Sequence, residues 1–255
     1  MFRKEIIVTS PDSAVDRAVR PLLETLAREG VPSSAERIYH GSRNSIDTLD
    51  VPSLGTVSIK EFKIPVFPNN FVYCGLRGSK ARRSFEHAMI LADSGIQTPA
   101  PYGYVEVRSG VPVRLGRSYY VCRHVPYHPI REWESGRAED VPLIAAEIGR
   151  CVAQMHKAGI YHRDFSRGNL LLVTGADGRP CGISLLDLNR MNFHVRDTSM
   201  LMRMFGGLAW TEESMRMIVD AYCGAFGMDS ASVLPRALAE QRRFIRAFKR
   251  KHHLK

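Results

Sequence analysis

The sequence predicts an α+β fold in two parts, an antiparallel sheet with one main helix followed by a mostly helical region. Three observations predict it. Between Glu36 and Pro65, short runs suited to strands (Arg37-Ile38-Tyr39, Ser45-Ile46-Asp47 and Thr56 to Phe62) alternate with turn residues. Ala81 to Ser94 then carries Phe85, Met89 and Ala92 at helical spacing and stops at Gly95. Beyond Asp140, Ile144, Ile148, Cys151 and Met155 recur on one helical face, the first of several helical runs.

A length of 255 residues allows one large domain or two closely packed lobes, with 44% hydrophobic and 24% charged residues typical of globular proteins. No apolar run approaches the roughly 20 residues of a membrane-spanning helix. The start, Met1 to Val8, is too short in its apolar part for a secretion signal, so a cytoplasmic protein is expected. Cys74, Cys122, Cys151, Cys181 and Cys223 are scattered and show no zinc-site spacing, and read as reduced, mostly buried small hydrophobes. A net charge of +10 favours polyanionic partners: nucleotides, nucleic acid, anionic lipid or phosphorylated glycan.

Taken in order, residues 1–35 read as an amino-terminal strand and helix extension. Ile6 to Val8 forms the strand. Ser10 caps a helix with Pro11 in its first turn and Asp12 near its positive end, and this helix runs to Gly30, bent or interrupted at Pro21. It is expected to pack outside the catalytic machinery. Residues 36–125 form the sheet lobe. Its His40-to-Asn44 turn lies where a phosphate-covering loop would fall but lacks the glycine-rich spacing, and fits a plain hairpin turn equally well. Val66 to Lys80, with Arg77, Lys80, Arg82 and Arg83 in or beside it, is long for a connection and reads as a functional insertion or as ordinary solvated basicity. Pro99-Ala100-Pro101 precedes two more strands, Gly103 to Val107 and Arg117 to Val125, with a turn near Ser109-Gly110. Arg123 to Pro126 would then be a hinge into residues 126–255, the helical lobe.

The chemistry is carried by Tyr161-His162-Arg163-Asp164-Phe165-Ser166-Arg167-Gly168-Asn169-Leu170, answered by Leu185-Leu186-Asp187-Leu188-Asn189-Arg190. An aspartate five positions before an asparagine, with a second aspartate closing the next apolar strand, is the spacing used for phosphoryl transfer to a hydroxyl. Asp164 would orient the acceptor hydroxyl and take its proton. Asn169 and Asp187 supply the oxygen ligands that magnesium prefers, while His162 and Arg163 brace the loop. Strand Val57-Ser58-Ile59-Lys60 offers a lysine for nucleotide phosphates, with Lys63 as runner-up. Glu86, the only acid of its helix before the last turn, is the expected ion-pair partner of Lys60.

Asp140 could cap the helix that delivers the chain to this loop. His156, near its end, reads as a structural histidine where an imidazolium would meet a favourable dipole. Leu170 to Val173 and Gly182 to Leu186 make a hairpin around Asp177-Gly178 that holds Asn169 and Asp187 close. In the last helix Leu234, Leu238, Ile245 and Phe248 share a face, and Arg242, Arg243, Arg246, Lys249, Arg250, Lys251 and Lys255 make the end basic. Such a helix either lies on an anionic membrane surface or packs on the lobe, and both can hold.

In the order Val57 to Lys60, Ser79 to Glu86, Gly95 to Pro99, Ser118 to Val121, His156 to Asn169 and Asp187 to Arg190, the chain resembles the lipopolysaccharide core kinases, the Kdo and heptose kinase group. The resemblance implies a protein-kinase-like bilobal fold with an antiparallel-sheet N-lobe, a mostly helical C-lobe and a short activation segment. It implies ATP and Mg2+ as cofactors, Lys60 and Glu86 for ATP binding, Asp164 as base and Asn169 and Asp187 as metal ligands. The acceptor it implies is a sugar hydroxyl of a glycan or glycolipid at the inner face of the cell membrane. Ser166 stands where kinases acting on serine or threonine usually carry lysine, and Leu188-Asn189 where they carry Phe-Gly. A protein or soluble small-molecule kinase, or a pseudokinase with a binding role, are the alternatives. No recognised module supports nucleic-acid binding.

Overall fold

The computed structural model describes residues 3–64, 78–110 and 114–253. Cys74, Arg77, Lys255 and most of the Val66-to-Lys80 segment lie outside the described residues. The chain divides into two compact units, Met1–Ala92 with Pro99–Pro126, and Asp93–Thr98 with Tyr127–Lys255.

The first unit is built on an antiparallel sheet. Strands β1 (Arg3–Thr9), β2 (Glu36–His40), β3 (Asn44–Val51), β4 (Gly55–Phe62), β5 (Pro101–Ser109) and β6 (Arg114–Arg123) pair in the order β1-β5-β6-β4-β3-β2. Helix α1 (Ser13–Arg28) lays Val19, Leu22, Leu23, Leu26 and Ala27 against Val57, Ile59, Val105, Tyr119 and Val121. The strand period of two then turns Ser58 and Lys60 to the opposite face. A Cβ on Gly103 would stand 2.6 Å from Leu23 Cδ1 and 2.7 Å from Val8 O, so this close approach of helix to sheet needs glycine.

Residues 1–35 are thus built into this unit, β1 as the edge strand and α1 as a face of the core. The cap of α1 is Asp12, whose carboxylate accepts from Ala14 N at 2.8 Å, and Ser10 stands outside the helix. Pro21 lies within one continuous helix whose buried stripe outweighs the hydrogen bond lost there. The His40-to-Asn44 turn is a hairpin turn, closed by Gly41 N donating to Asn44 O at 3.0 Å. In α2 (Lys80–Asp93) the buried stripe is Ala81, Ser84, Phe85, Ala88 and Leu91. Ala92 is exposed and Met89 half-buried, because Ala88 and Leu91 continue the i, i+4, i+7 row from Ser84.

The second unit is mostly helical. Helix α3 (Val141–Lys157) crosses α5 (Glu212–Phe226), while α4 (Thr198–Met202) and α6 (Ser230–Lys251) complete the layer. Gly149 sits at the crossing: a Cβ there would run into Ile218 O and stand 2.7 Å from Ala221 Cβ. Two small antiparallel pairs carry the loops: β7 (Tyr161–His162) with β10 (Met191–Asn192), and β8 (Leu170–Thr174) with β9 (Pro180–Leu185). Asp140 makes no side-chain cap; Pro142 fills the first turn and Asp140 faces Arg137 at 3.8 Å instead.

Helix α6 packs through Val233, Ala237, Leu238 and Gln241, with Gln241 Nε2 donating to Thr211 O at 2.7 Å. Its far half keeps Ile245 and Phe248 only half-buried, Phe248 meeting Trp210 edge-on at 5.1 Å. Among the described residues no helix is long and apolar enough to cross a membrane. Cys151 and Cys223 are buried, Cys122 is half-buried, and Cys181 is exposed where strand alternation turns it outward from β9.

Candidate active site

The loop that carries Asp164 begins as β7, whose pairing with β10 sets His162 opposite Met191. One step further, Arg163 N donates to Arg190 O at 2.9 Å. His162 is 1% exposed and satisfied on both ring nitrogens: Nε2 donates to Leu186 O (3.1 Å), and Nδ1 accepts from Asp164 N (3.1 Å). Burial holds its pKa below the usual histidine value, which suits the neutral tautomer this pair of bonds requires. His162 therefore ties the backbone of Asp164 to the residue before Asp187. Arg163 contributes its backbone N–H, and its side chain is exposed.

Asn169 closes the loop from the other end. Its Nδ2 donates to Asp164 O at 2.9 Å, which leaves the amide oxygen without a partner among the described residues. Its own carbonyl accepts from Leu186 N at 2.9 Å. The β8–β9 register, with Leu170 opposite Leu185, brings the chain back at the right place for that bond. Asp187 then adopts a left-handed conformation (φ 55°, ψ 50°), a strain of about 1–3 kcal/mol for a residue that is not glycine. Asn189, buried two residues on, donates from Nδ2 to Asp187 Oδ1 at 2.8 Å and holds that carboxylate.

Asn169 and Asp187 are thus oxygen donors joined by a short hydrogen-bonded path. An amide oxygen with a carboxylate fits Mg2+, which binds through one or two protein ligands with nucleotide phosphates and water completing the octahedron. Among the described residues no group of three or more His, Cys, Asp or Glu side chains could hold a metal, so an all-protein cage is not on offer. The Asp164 carboxylate is half-exposed and faces Arg190, whose Nη1 donates to Oδ2 at 2.9 Å and Oδ1 at 3.3 Å.

A second network fixes the middle of the loop. Arg167 is buried, paired with Glu134 at 3.1 Å and stacked over the Trp210 ring at 4.1 Å. Glu134 also accepts from Trp210 N (2.7 Å) and Thr211 N (3.0 Å). Its burial would raise the carboxyl pKa, but those donors outweigh it and the net shift is downward. Tyr127 OH donates to Gly168 O at 2.9 Å on the open side.

In the first unit Lys60 is half-buried on the sheet face opposite α1, its ammonium 5.3 Å from the Phe62 ring centroid. Lys63 lies beyond β4 and is exposed, its N–H donating to Arg43 O. Glu86 pairs with Arg82, Nε to Oε1 at 2.7 Å, and its expected pairing with Lys60 stays a proposal. Arg82 precedes Glu86 by one helical turn, so the helix itself places the two charges together, whatever the sheet does.

The sequence reading missed the work of three residues. Asn189 read only as a departure, although an amide two positions after a carboxylate is a short-range signal for such a clamp. Arg190 and Glu134 act across 26 and 33 residues of chain, and no local pattern marks those contacts.

An antiparallel sheet with covering helices, and a helical unit bearing a loop that ties together Asp164, Asn169 and the approach to Asp187, are the elements of a kinase-like fold of mixed α and β structure. Residues 131–222, which include all three and lie in the second unit, match the model of the lipopolysaccharide kinase (Kdo/WaaP) family. The chain is similar over 96% of its length, and 98% of the other's, to the structure described as WaaP in complex with acyl carrier protein, with a TM-score of 0.61 and 15% identity. It also matches a Rio2 kinase–ADP/Mg2+–phosphoaspartate complex from Chaetomium thermophilum, with a TM-score of 0.47, 20% identity and coverage of 87% and 75%. Comparison with curated proteins finds no match. Lys60 and Glu86 lie outside the segment matched by the family model.

Proposed function

We propose that the chain is an ATP- and magnesium-dependent kinase that transfers the γ-phosphate to a sugar hydroxyl, on a lipopolysaccharide inner core or another lipid-linked glycan. The observation that carries this is the set of bonds from His162 and Asn169 that joins the Asp164 backbone to the strand end before Asp187. Asp164 takes the acceptor proton as the new P–O bond forms. Asn169 and Asp187 would hold Mg2+, which offsets charge on the phosphates, and Lys60 is the residue proposed for nucleotide phosphates.

A membrane-side location and a protein partner belong to the same proposal. Helix α6 has an exposed basic surface at Arg242, Arg246, Lys249 and Arg250, which suits residence at the cytoplasmic face of an anionic membrane. The WaaP structure is a complex with acyl carrier protein, and a protein partner of that kind is proposed here beside the glycan.

A second reading is favoured by one contact: Arg190 occupies the Asp164 carboxylate, as it would in a nucleotide-binding module that transfers nothing. A thermal-shift titration with Mg-ATP, run on the parent chain and Asp187→Asn with and without magnesium, tests binding. Ligand at about 100 times its dissociation constant should stabilise the parent by about 2.7 kcal/mol. No shift at millimolar nucleotide overturns the kinase reading, and a shift without transfer of label to any glycan favours the second.

A further inference from the structure

We infer that Arg190 supplies the cation that neutralises the transferring phosphoryl group. The inference rests on the kinase reading and deepens it. Four arginines among the described residues lie in or beside the loop, and Arg131, beside Gly168, donates to Tyr127 OH at 3.0 Å. Arg167 is committed to Glu134 and to the Trp210 ring and is buried. Arg163 engages the network through its backbone. Among the described residues Arg190 alone places a guanidinium on the Asp164 carboxylate, and only its Nη1 is used there. Its Nη2 and Nε have no partner among the described residues, and the side chain is 45% exposed.

The geometry of the reaction makes that position informative. An acceptor hydroxyl bound to Asp164 attacks a phosphorus about 3–3.5 Å away, so a donor in contact with the same carboxylate is within reach of the equatorial phosphoryl oxygens. In the step, the acceptor O–P bond forms and the bond from the γ-phosphorus to the β,γ-bridging oxygen breaks. The proton passes to Asp164, and ADP leaves with the electron pair. Negative charge spreads over the three equatorial oxygens, where a fixed guanidinium stabilises it and needs no reorganisation. Asp164 keeps Arg190 in place until nucleotide arrives, which accounts for an ion pair on a carboxylate that must accept a proton. The backbone bond from Arg163 N to Arg190 O fixes the root of the side chain.

Mg-ATP hydrolysis tests this without knowledge of the glycan, because water serves as acceptor and carries no anionic group for an arginine to read. Hydrolysis would be measured on the parent, Asp187→Asn, Arg190→Lys, and Arg190→Ala with and without millimolar guanidinium. The expectation is a loss of about 10²-fold or more in kcat for Arg190→Ala, recovered in part by guanidinium and by Arg190→Lys. Mg-ADP, which lacks the transferred group, should bind Arg190→Ala as it binds the parent. A rate for Arg190→Ala within about threefold of the parent, or above it, overturns the assignment and leaves the kinase reading standing. A loss that guanidinium does not relieve, accompanied by weaker Mg-ADP binding, also overturns it by showing a merely structural role. Parent hydrolysis no faster than that of Asp187→Asn overturns the kinase reading itself, and the Arg190 assignment with it.

Discussion

Asn189 donates from its side-chain amide to Asp187 Oδ1 at 2.8 Å, inside a turn where Asp187 is held left-handed. The residue that departs most visibly from a Phe-Gly pattern is therefore the one that aims the proposed metal ligand. Replacing Asn189 by Ala removes this hydrogen bond and loosens the hold on the carboxylate. The magnesium concentration for half-maximal activity should rise about 10- to 100-fold, the scale of an outer-shell partner of a metal ligand. A magnesium titration of steady-state turnover checks it.

Asp164→Ala should lower turnover by about 10²-fold or more, as loss of an acid-base group does. Fold integrity should survive, because His162 and Asn169 hold the backbone of residue 164 and make no bond to its carboxylate. A melting temperature near that of the parent, together with the lost turnover, is the expected result. Near-normal turnover would refute the role.

Glu134→Ala leaves the Arg167 guanidinium buried without its carboxylate, and strips the acceptor from Trp210 N and Thr211 N. Breaking a buried pair on one side costs about 3–5 kcal/mol. Urea denaturation should show a loss of that order. The double substitution with Arg167→Met should recover much of it, since no uncompensated charge then remains.

The loop around Asp164 and the β8–β9 hairpin were legible because their meaning is local: the aspartate, the asparagine and the next aspartate are linked by short, regular pieces of chain. Where meaning depends on partners far along the chain, the sequence was silent. The Ser10-Pro11-Asp12 start and the Gly30 stop announced α1, but not that Leu23 would rest on Gly103 and build this helix into the sheet core. Glu86 reads as an acid for Lys60, and the pairing with Arg82 four residues earlier in the same helix went unread. The cap of α1 fell on Asp12 because both Ser10 and Asp12 carry capping oxygens, and composition alone does not rank them. The resemblance to lipopolysaccharide kinases rests on six ordered segments from Val57 to Arg190, of which the family match over residues 131–222 covers the last two.

Gly149→Ala should destabilise the second unit. The added Cβ would meet Ile218 O and Tyr222 N at the α3–α5 crossing, both backbone atoms of the facing helix. Helix propensity favours alanine by about 1 kcal/mol, while forced separation of packed helices costs about 1–3 kcal/mol or more. Overpacking wins because backbone cannot rotate away. A lower melting temperature is expected, and an unchanged or raised one would show that the crossing adjusts freely.

The last prediction concerns acid. His156 is expected from sequence as a histidine placed where an imidazolium would suit a helix end, but it is 9% exposed, packs edge-on to Phe205 and Tyr222, and shares a 3.0 Å hydrogen bond from Nδ1 with Tyr222 OH. Burial pushes its pKa down from 6.5 to about 4, so it is neutral in the fold. Between those two values the unfolded chain binds a proton that the folded chain does not, and stability falls as pH falls through the window. A depression of this size is worth at most about 3 kcal/mol, reached near pH 4, and roughly 2 kcal/mol at about pH 5. His162, shifted in the same direction by burial, adds to the slope. Urea midpoints at about pH 7.5 and about pH 5 should differ accordingly, and His156→Asn, which keeps a polar atom near the Nδ1 position but cannot titrate, should flatten the difference. An equal slope in the variant would assign the acid sensitivity to other groups.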